Sequence, residues 1–412
     1  MYAYFKYHNR SSLDRPSMNQ WCARCVLAFA VLVPSLAGAV DMQDGKLQLH
    51  GFITQGMVNT TGNNFLGKSS DDISYDFREV GLNATYRAMP QLQVSAQLIS
   101  RKAGENDNGE LRVGHAFVDW TVASGDWGSS GVRLGRVRVP YGLYAETGDV
   151  AFTRDSAILP QPIYFDVTRR LQKSADGFTV YHNTVSDYGN FGIKYYLGYP
   201  QADGKSTEAM FLTRDMPGRL DSKLTPLLNF SFDSNDGRWR LGFTTANVKL
   251  AYEKKAIDSL NNGDITLVPY LLSAQYNAEK WSLTGEYLLE FIEFKGFGPS
   301  VDTKSSADGF YVQAAYRPAS KWEVFTRYDA FYKNRADRSG KQWQATTGLP
   351  DFMLYSKDWS LGVRYDVSES FSLRAEAHRI NGTGWLSPLE NSNSAALEKN
   401  WDMLILLASY RF

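Results

Sequence analysis

The chain has 412 residues, and its 44 Lys and Arg residues balance its 44 Asp and Glu residues. This balance leaves no basic excess, which argues against nucleic acid as a partner. The mean hydropathy of −0.36 is typical of water-soluble proteins, yet 14% of the residues are aromatic, so their order along the chain carries more information than the average.

The first 39 residues have the three parts of a secretory signal peptide. A basic region precedes a short apolar run, residues 25–37, which ends in the small-residue site Ala37-Gly38-Ala39. At 13 residues, this run is shorter than the roughly 20 that a membrane-spanning helix needs. We predict a signal peptide over residues 1–39, cleaved after Ala39, with Met18 as an alternative start. A buried soluble helix is the other interpretation of this segment.

Cleavage after Ala39 would change the chemistry of the mature chain. Cys22 and Cys25 leave with the signal, which excludes disulfides, thiolate catalysis and Cys-ligated metals. Four basic residues and one acid leave too, which turns a balanced chain into one of net charge −3. We expect no enzyme, metal or other cofactor, since no nucleophile motif occurs. Zinc-binding spacing is also absent among the remaining histidines, which are His50, His115, His182 and His378.

Strict alternation of apolar and polar residues follows. Val80, Leu82, Ala84 and Tyr86 alternate with polar or small residues, and the same period recurs near residues 92–98, 116–122, 322–328, 359–365 and 371–377. This period predicts β-strands with one apolar and one polar face. A soluble sandwich would show the same alternation, and Phe117 and Phe325 are exceptions on the polar side.

Aromatic residues flank the short turns in a repeated pattern. Tyr316 and Trp322 enclose one turn, and Tyr365 and Phe371 enclose another with the same spacing. Such rings are typical of the girdle at a membrane–water interface, which favours a membrane barrel over a sandwich.

The connections give the strand number. Seven short turns, near residues 88–91, 124–130, 183–188, 233–237, 277–280, 317–321 and 367–370, alternate with longer loops near residues 58–72, 101–109, 139–175, 199–220, 253–263, 295–307, 333–355 and 381–400. Fifteen connections predict an all-β fold, a transmembrane antiparallel β-barrel of 16 strands over residues 40–412. The alternatives are 14 or 18 strands, because Pro226 interrupts the strand near residues 221–232. A barrel of this size leaves an aqueous channel.

The last strand carries a family resemblance. Leu404, Leu406, Ala408, Tyr410 and Phe412 share one face, and the chain ends on the aromatic ring. This resembles the C-terminal strand of bacterial outer-membrane barrels. The resemblance implies that the barrel-assembly machinery recognises Phe412.

The overall plan resembles that of the Gram-negative outer-membrane porins. The segment Leu134-Gly-Arg-Val-Arg-Val-Pro-Tyr-Gly-Leu143 is similar to the start of the third long loop in phosphate-selective porins. The Pro-Glu-Phe-Gly-Gly motif of general porins is absent, so their constriction residues are not carried over. The resemblance implies a location in the bacterial outer membrane, lipid and lipopolysaccharide as partners, and a homotrimer.

The third long loop, residues 140–175, is the candidate constriction loop. In the porins that this chain resembles, that loop folds into the barrel. Here it is unusually apolar, so we expect it to pack against the inner wall; covering the outer mouth or contacting a neighbouring subunit are the alternatives. The candidate constriction residues are Arg133, Arg136, Arg138, Glu146, Asp149, Arg154, Asp155, Asp166, Arg169 and Arg170. The candidate pore-wall residues are Arg87, Arg327, Asp329, Arg364, Arg374 and Glu376.

Opposed acidic and basic side chains in a constriction would favour hydrated ions and polar solutes. The expected function is therefore passive diffusion of small hydrophilic solutes and ions. The alternatives are a substrate-specific channel, with arginines suited to an anion, and a structural or adhesive barrel that acts through its loops. Each of these charged residues could instead be paired on the wall without selecting any solute.

Overall fold

A computed structural model describes residues 40–42, 45–202 and 204–412 as an antiparallel β-barrel. The predicted signal peptide, residues 1–39, lies outside the described residues. The last strand pairs with the first long strand, from Met403 opposite Thr60 to Arg411 opposite Phe52. This pairing closes the sheet into a ring.

The wall strands follow the ring in chain order. Their bounds are β1 Val40–Met42, β2 Leu47–Thr60, β3 Ser74–Met89, β4 Leu92–Ala103, β5 Asp107–Gly125, β6 Gly128–Arg138, β7 Ser174–Val185, β8 Gly189–Pro200, β9 Arg219–Ser222, β10 Thr225–Ser234, β11 Trp239–Ala246, β12 Val248–Glu253, β13 Gly263–Asn277, β14 Trp281–Lys295, β15 Thr303–Ala319, β16 Trp322–Tyr332, β17 Tyr355–Asp366, β18 Phe371–Gly382 and β19 Asn400–Arg411. β1 is a short segment paired with β2, and β9–β10 and β11–β12 each form one interrupted wall strand. The barrel therefore has 16 strands, as predicted.

The interruption coincides with the proline that made this strand uncertain. Pro226 has no N–H to donate, and the wall strand breaks at residues 223–224, just before it. Asn247, at the break in the neighbouring strand, donates its N–H to the Pro226 carbonyl at 3.0 Å. The Lys223 N–H reaches the Lys249 carbonyl at 2.7 Å, so the two strands stay joined across both breaks.

Short turns and long loops lie at opposite ends of the barrel, as alternating connections require. The long loops are L1 (61–73), L2 (104–106), L3 (139–173), L4 (201–218), L5 (254–262), L6 (296–302), L7 (333–354) and L8 (383–399). L2 is much shorter than predicted because the flanking polar residues continue β4 and β5.

Short helices occur in three of these loops. They are α1 Arg169–Lys173 in L3, α2 Lys205–Leu212 in L4 and α3 Lys341–Thr347 in L7. Within the described ranges, no helix is both long and apolar enough to span a bilayer.

The two faces of the wall differ as the alternation predicts. Leu82, Trp120 and Leu361 lie on the outer face, with 47%, 56% and 64% of their surface exposed. The inner face carries charged and polar side chains such as Glu79 and Arg327, which are almost fully buried. An apolar outer face and a polar inner face suit a barrel in lipid.

The aromatic girdle forms at the short-turn end. Trp239 lies opposite Tyr276 with ring centroids 4.9 Å apart, and Trp322 lies opposite Tyr365 at 4.5 Å. The cross-strand register thus brings aromatic residues from successive turns together in a belt, where amphipathic rings suit an interface.

The apolar core lies inside the barrel, where loops cover part of the inner wall. One cluster joins Phe65 of L1, Ile158 and Phe165 of L3 and Trp385 of L8 to the wall. The inner face of β19 is apolar to match, with Ile405 buried in the same cluster. Both faces of β19 are therefore apolar, because its inner face packs against loops rather than water.

Candidate functional site

L3 contacts inner-wall side chains on opposite sides of the ring. The Arg154 guanidinium donates to Glu79 of β3 at 3.2 Å, and the Tyr164 hydroxyl donates to Glu286 of β14 at 2.7 Å. β3 and β14 are far apart in the strand order. L3 is thus tied to the wall at both sides.

Apolar side chains of L3 are buried against the wall. Leu159, Ile163 and Tyr164 pack with Leu271 and Leu288 of β13 and β14. The apolar content that made this loop unusual in the sequence is therefore placed in contact with the barrel interior.

A buried carboxylate gathers three arginines at one end of L3. Glu79 accepts hydrogen bonds from Arg101 at 3.0 Å, Arg169 at 3.1 Å and Arg154 at 3.2 Å. Arg101 also donates to Asp166 at 2.5 Å. The Glu79 side chain has no exposed surface. These short, charge-assisted contacts join L3 to β3 and β4.

A second buried carboxylate, Asp149, lies within L3 itself. Asp149 accepts from Arg138 and from Arg169, the latter at 2.6 Å, and Lys173 Nζ lies 3.4 Å away. Burial alone would raise the pKa of Asp149, but Lys173, Arg138 and Arg169 outweigh it and hold that pKa well below its usual range. Burial lowers the pKa of Lys173 to about 7, even though Asp149 opposes this shift.

The opposite side of L3 is tied by its backbone. Arg374 donates to the Ala151 carbonyl at 2.8 Å and the Arg154 carbonyl at 3.2 Å, and the Ala157 N–H donates to Glu376 at 2.5 Å. Arg327, which pairs with Asp329 at 3.2 Å, also donates to the Ile158 carbonyl at 3.5 Å.

Asp155, the residue after Arg154 in L3, has a raised pKa. Asp155 accepts a hydrogen bond from Gln313 at 2.8 Å. Burial, with Glu323 nearby, raises the pKa of Asp155 to about 6.

A partly exposed row of charges lines the wall from β5 to β8. Arg133 donates to Asp119 at 2.8 Å and lies 3.7 Å from Glu146, which in turn pairs with Lys194 at 2.5 Å. Their side chains are 15% to 31% exposed, unlike the buried groups around Glu79 and Asp149. We call these four residues, Asp119, Arg133, Glu146 and Lys194, the charged row.

Comparison with known proteins identifies the fold. No family model matches the sequence, and no curated protein does. Among solved structures, OmpT from the outer membrane of Vibrio cholerae is 12% identical with a TM-score of 0.56, covering 90% of this chain and 100% of its own. An anion-selective porin from Comamonas acidovorans is 15% identical with a TM-score of 0.52, covering 89% and 99%. OprB of Pseudomonas putida is 11% identical with a TM-score of 0.55, covering 89% and 94%. The chain has the fold of an outer-membrane porin.

At these identities the likeness is one of fold. The porin fold agrees with the predicted barrel and with the predicted bacterial outer-membrane location. It does not by itself assign a role to any residue of the chain.

The porin-type barrel brings most of the predicted constriction residues together. Arg138, Asp149, Arg154 and Arg169 form one connected network of ion pairs, while Arg133 and Glu146 belong to the charged row. Asp166 joins the network through Arg101. Arg170 lies in α1, half-buried.

Two predicted residues, Arg136 and Arg87, lie apart from L3, whereas Arg364 faces L3 from the wall. Arg136 shares the outer face of β6 with Leu134 and pairs with Asp176 at 2.7 Å. Arg87 is exposed near the end of β3. Arg364 pairs with Asp366 at 2.8 Å and lies 5.6 Å from the ring of Phe152 in L3.

Several charged residues of the site lie outside the predicted set, among them Arg101, Lys194 and Glu286. Arg101 fell within a predicted loop because the residues that follow it are polar, as loop residues commonly are. Lys194 and Glu286 lie on the inner faces of β8 and β14, two strands whose alternation was not used to select candidate residues. Their alternation with outward residues was the available signal, since Lys194 lies between Ile193 and Tyr195 and Glu286 precedes Tyr287.

The histidines of the porin-type barrel sit apart on the wall. His378 pairs with Asp358 at 2.7 Å, while His115 lies 3.2 Å from Ser95 and accepts from Arg138 at 3.0 Å. In the part of the chain that the structure describes, no group of three His, Cys, Asp or Glu side chains could hold a metal ion.

Proposed function

We propose that this barrel is a passive outer-membrane channel for small hydrophilic solutes and ions, narrowed by L3. The observation that carries the proposal is the attachment of L3 to both sides of the ring, through Glu79 on β3 and Glu286 on β14. We infer that a segment held at both of these points crosses the lumen and narrows it.

The charged row supports a water-filled path along β5 to β8. Its side chains keep part of their surface exposed, and a charged lining allows hydrated solutes to keep much of their solvation. The arginines around Glu79 are ion-paired and largely buried, so they serve to hold L3 and do not line this path.

The balance of the charged row predicts weak ion selectivity. Arg133 and Lys194 face Asp119 and Glu146, so cations and anions meet opposed charges in equal number. The anion-selective alternative would need an excess of exposed basic groups, whereas the arginines of L3 are neutralised by Glu79, Asp149 and wall contacts. We expect the charged row to give a small reversal potential. The variant Lys194→Met should shift this potential toward cation preference.

The test is planar-bilayer conductance of refolded protein, with the reversal potential measured across a KCl gradient. We expect discrete openings with little selectivity, and a shift for Lys194→Met that Arg240→Met, a control near the short turns, does not give. Folded, heat-modifiable barrel that conducts nothing would contradict the proposal.

A trimer and its membrane partners belong to the same proposal. A homotrimer would show conductance steps in multiples of three and a matching mass in native mass spectrometry. Lipid and lipopolysaccharide would cover the apolar outer face, and the barrel-assembly machinery would bind the last strand through Phe412.

A structural or adhesive role is the second candidate, because several loops are packed firmly together. Trp385 of L8 contacts Phe65 of L1 at 5.1 Å between ring centroids, and Asn63 exchanges hydrogen bonds of 2.8 and 2.9 Å with the backbone of Glu398. Absence of conductance together with a rigid L1–L8 surface would favour this function.

A further inference from the structure

A cavity lies inside the barrel between L3, L4 and the wall strands β8 to β16. It has a volume of about 260 Å³. Its lining is mainly apolar, with Leu171 of L3, Phe211 of L4 and Leu288, Ile292 and Phe331 of the wall. We call this space the L3–L4 cavity. It is separate from the charged row.

Two ionisable groups line the L3–L4 cavity without a partner. Among the described residues, neither the Glu290 carboxylate nor the Lys333 ammonium has a hydrogen-bond or ion-pair partner. Tyr141 of L3 lines the same cavity. Both side chains are partly buried beside apolar surface, where an unpaired charge is less well solvated than in water, so both groups favour a ligand that supplies the missing contacts.

The strand register places these two groups in one row. Glu290 lies opposite Ala307, and Asp308 lies opposite Tyr332, so the next step of the ladder sets Ala307 against Lys333. The Lys333 N–H donates to the Leu354 carbonyl at 2.8 Å, which keeps the chain extended there. Their backbones are two strand spacings apart, about 10 Å, with only a methyl side chain between them.

We propose that the L3–L4 cavity binds a small zwitterion with an apolar body, of the class of α-amino acids with a branched aliphatic side chain. The ligand ammonium pairs with Glu290, its carboxylate pairs with Lys333, and its side chain lies against Leu288 and Ile292. An acid or an amine alone leaves one of the two groups unpaired, and an apolar molecule leaves both unpaired. The binding does not depend on conduction by the barrel.

The test is equilibrium binding of L-leucine to the purified, folded barrel in detergent, by calorimetry or saturation-transfer NMR. The matched probes are 3-methylbutylamine, 4-methylpentanoate and 3-methylbutanol, which carry the cation alone, the anion alone or neither charge. We expect L-leucine to bind at least about tenfold more tightly than each of them, the factor that 1.4 kcal/mol represents.

Two variants assign the binding to the cavity. Glu290→Gln and Lys333→Met should each weaken L-leucine binding by at least about tenfold while leaving the barrel heat-modifiable, since each removes an unpaired charge. Glu293→Gln, in an exposed pair with Lys304, is the matched control and should bind as the parent does. Equal binding of L-leucine and the singly charged probes, unchanged binding in both variants, or no L-leucine binding by the folded parent would each overturn the proposal. A barrel that conducts without binding L-leucine would separate failure of this proposal from failure of the channel.

Discussion

At the scale of single residues, buried carboxylates organise the interior of this barrel. Glu79 holds three arginines and Glu286 accepts from Ser273, Tyr164 and Tyr311. A buried ion pair contributes little net free energy by itself, but removal of one partner leaves uncompensated charge. The carboxylates therefore fix where L3 lies more than they add to overall stability.

Replacing the carboxylate of Glu79 should be costly. Glu79→Gln leaves the guanidinium groups of Arg101, Arg154 and Arg169 short of an anion, and the expected loss is about 3–5 kcal/mol of unfolding free energy. Urea unfolding measures this loss, with the folded fraction read from the heat-modifiability of the barrel. Glu293→Gln, which breaks an exposed pair, should cost less than about 1 kcal/mol. An equal effect of the two changes would contradict the role given to Glu79.

Glu390 in L8 should make the loop cluster sensitive to pH. Its carboxylate accepts from the N–H groups of Gly67 at 2.8 Å and Glu105 at 3.2 Å, and burial raises its pKa to about 7. Since the folded pKa exceeds the ordinary value of 4.5, packing of L8 on L1 is weakened above pH 7. It strengthens as the pH falls from about 7 toward 4.5.

Hydrogen exchange at residues 61–67 measures this effect, after correction for the intrinsic rate. Protection should rise at least about tenfold between pH 8 and pH 5, the change that one unit of pKa shift supplies. Glu390→Gln resembles the protonated acid, so its protection should be high at both pH values. A parent protein with flat protection across this range would show that Glu390 does not control the packing.

At the scale of elements, the alternation of apolar and polar residues predicted most strands and their faces. Successive side chains of a strand point to opposite faces, so a two-sided strand shows a period of two in the sequence. The alternation could not predict that the inner face of β19 is apolar, since that depends on loops distant in sequence. It also placed the start of L2 at Arg101, where polar residues in fact continue a strand because Glu79 and Asp166 satisfy the guanidinium. Tertiary partners decide both cases.

The attachment of L3 by Arg374 is testable at this scale. Arg374→Met removes the donors to the Ala151 and Arg154 carbonyls. Hydrogen bonds from charged donors contribute about 1.5–3 kcal/mol each, so amide exchange over residues 151–157 should accelerate at least about tenfold. Channel noise should increase in the same variant. Arg240→Met, in an exposed pair near the short turns, should change neither quantity, and an L3 that stays equally protected would show that other contacts suffice to hold it.

At the scale of the whole molecule, the number of strands and the order of turns and loops followed from counting connections. The pairing of the charges in L3 did not, because it depends on which inward side chains meet across the lumen. Arg136 illustrates the limit: it lies two residues from Arg138, yet it pairs on the outer surface whereas Arg138 pairs with Asp149. Sequence proximity could not distinguish the two positions.

The seam between β19 and β2 should control assembly of the whole barrel. Phe412 and Gly51 exchange backbone hydrogen bonds of 3.0 Å. The phenyl ring of Phe412 also packs directly on Gly51, because a Cβ atom at position 51 would lie only 2.3 Å from the nearest ring atom. Phe412→Ala loses this contact, at a cost of about 1 kcal/mol for a half-buried ring. Refolding into vesicles, followed by heat-modifiability, should slow several-fold, whereas Tyr188→Ala in an exposed turn should refold like the parent. Identical refolding of both variants would contradict this role for the ring.

The ring closure described above also limits what a partial chain can be. A chain lacking its last strand would present unpaired amide and carbonyl groups along both β2 and β18, and hydrocarbon offers them no hydrogen-bond partner. A chain without β19 therefore forms an open sheet and not a narrower barrel. Its two edge strands, β2 and β18, remain free to pair with other strands. We therefore expect stable insertion of this protein into the bilayer to require the pairing of β19 with β2.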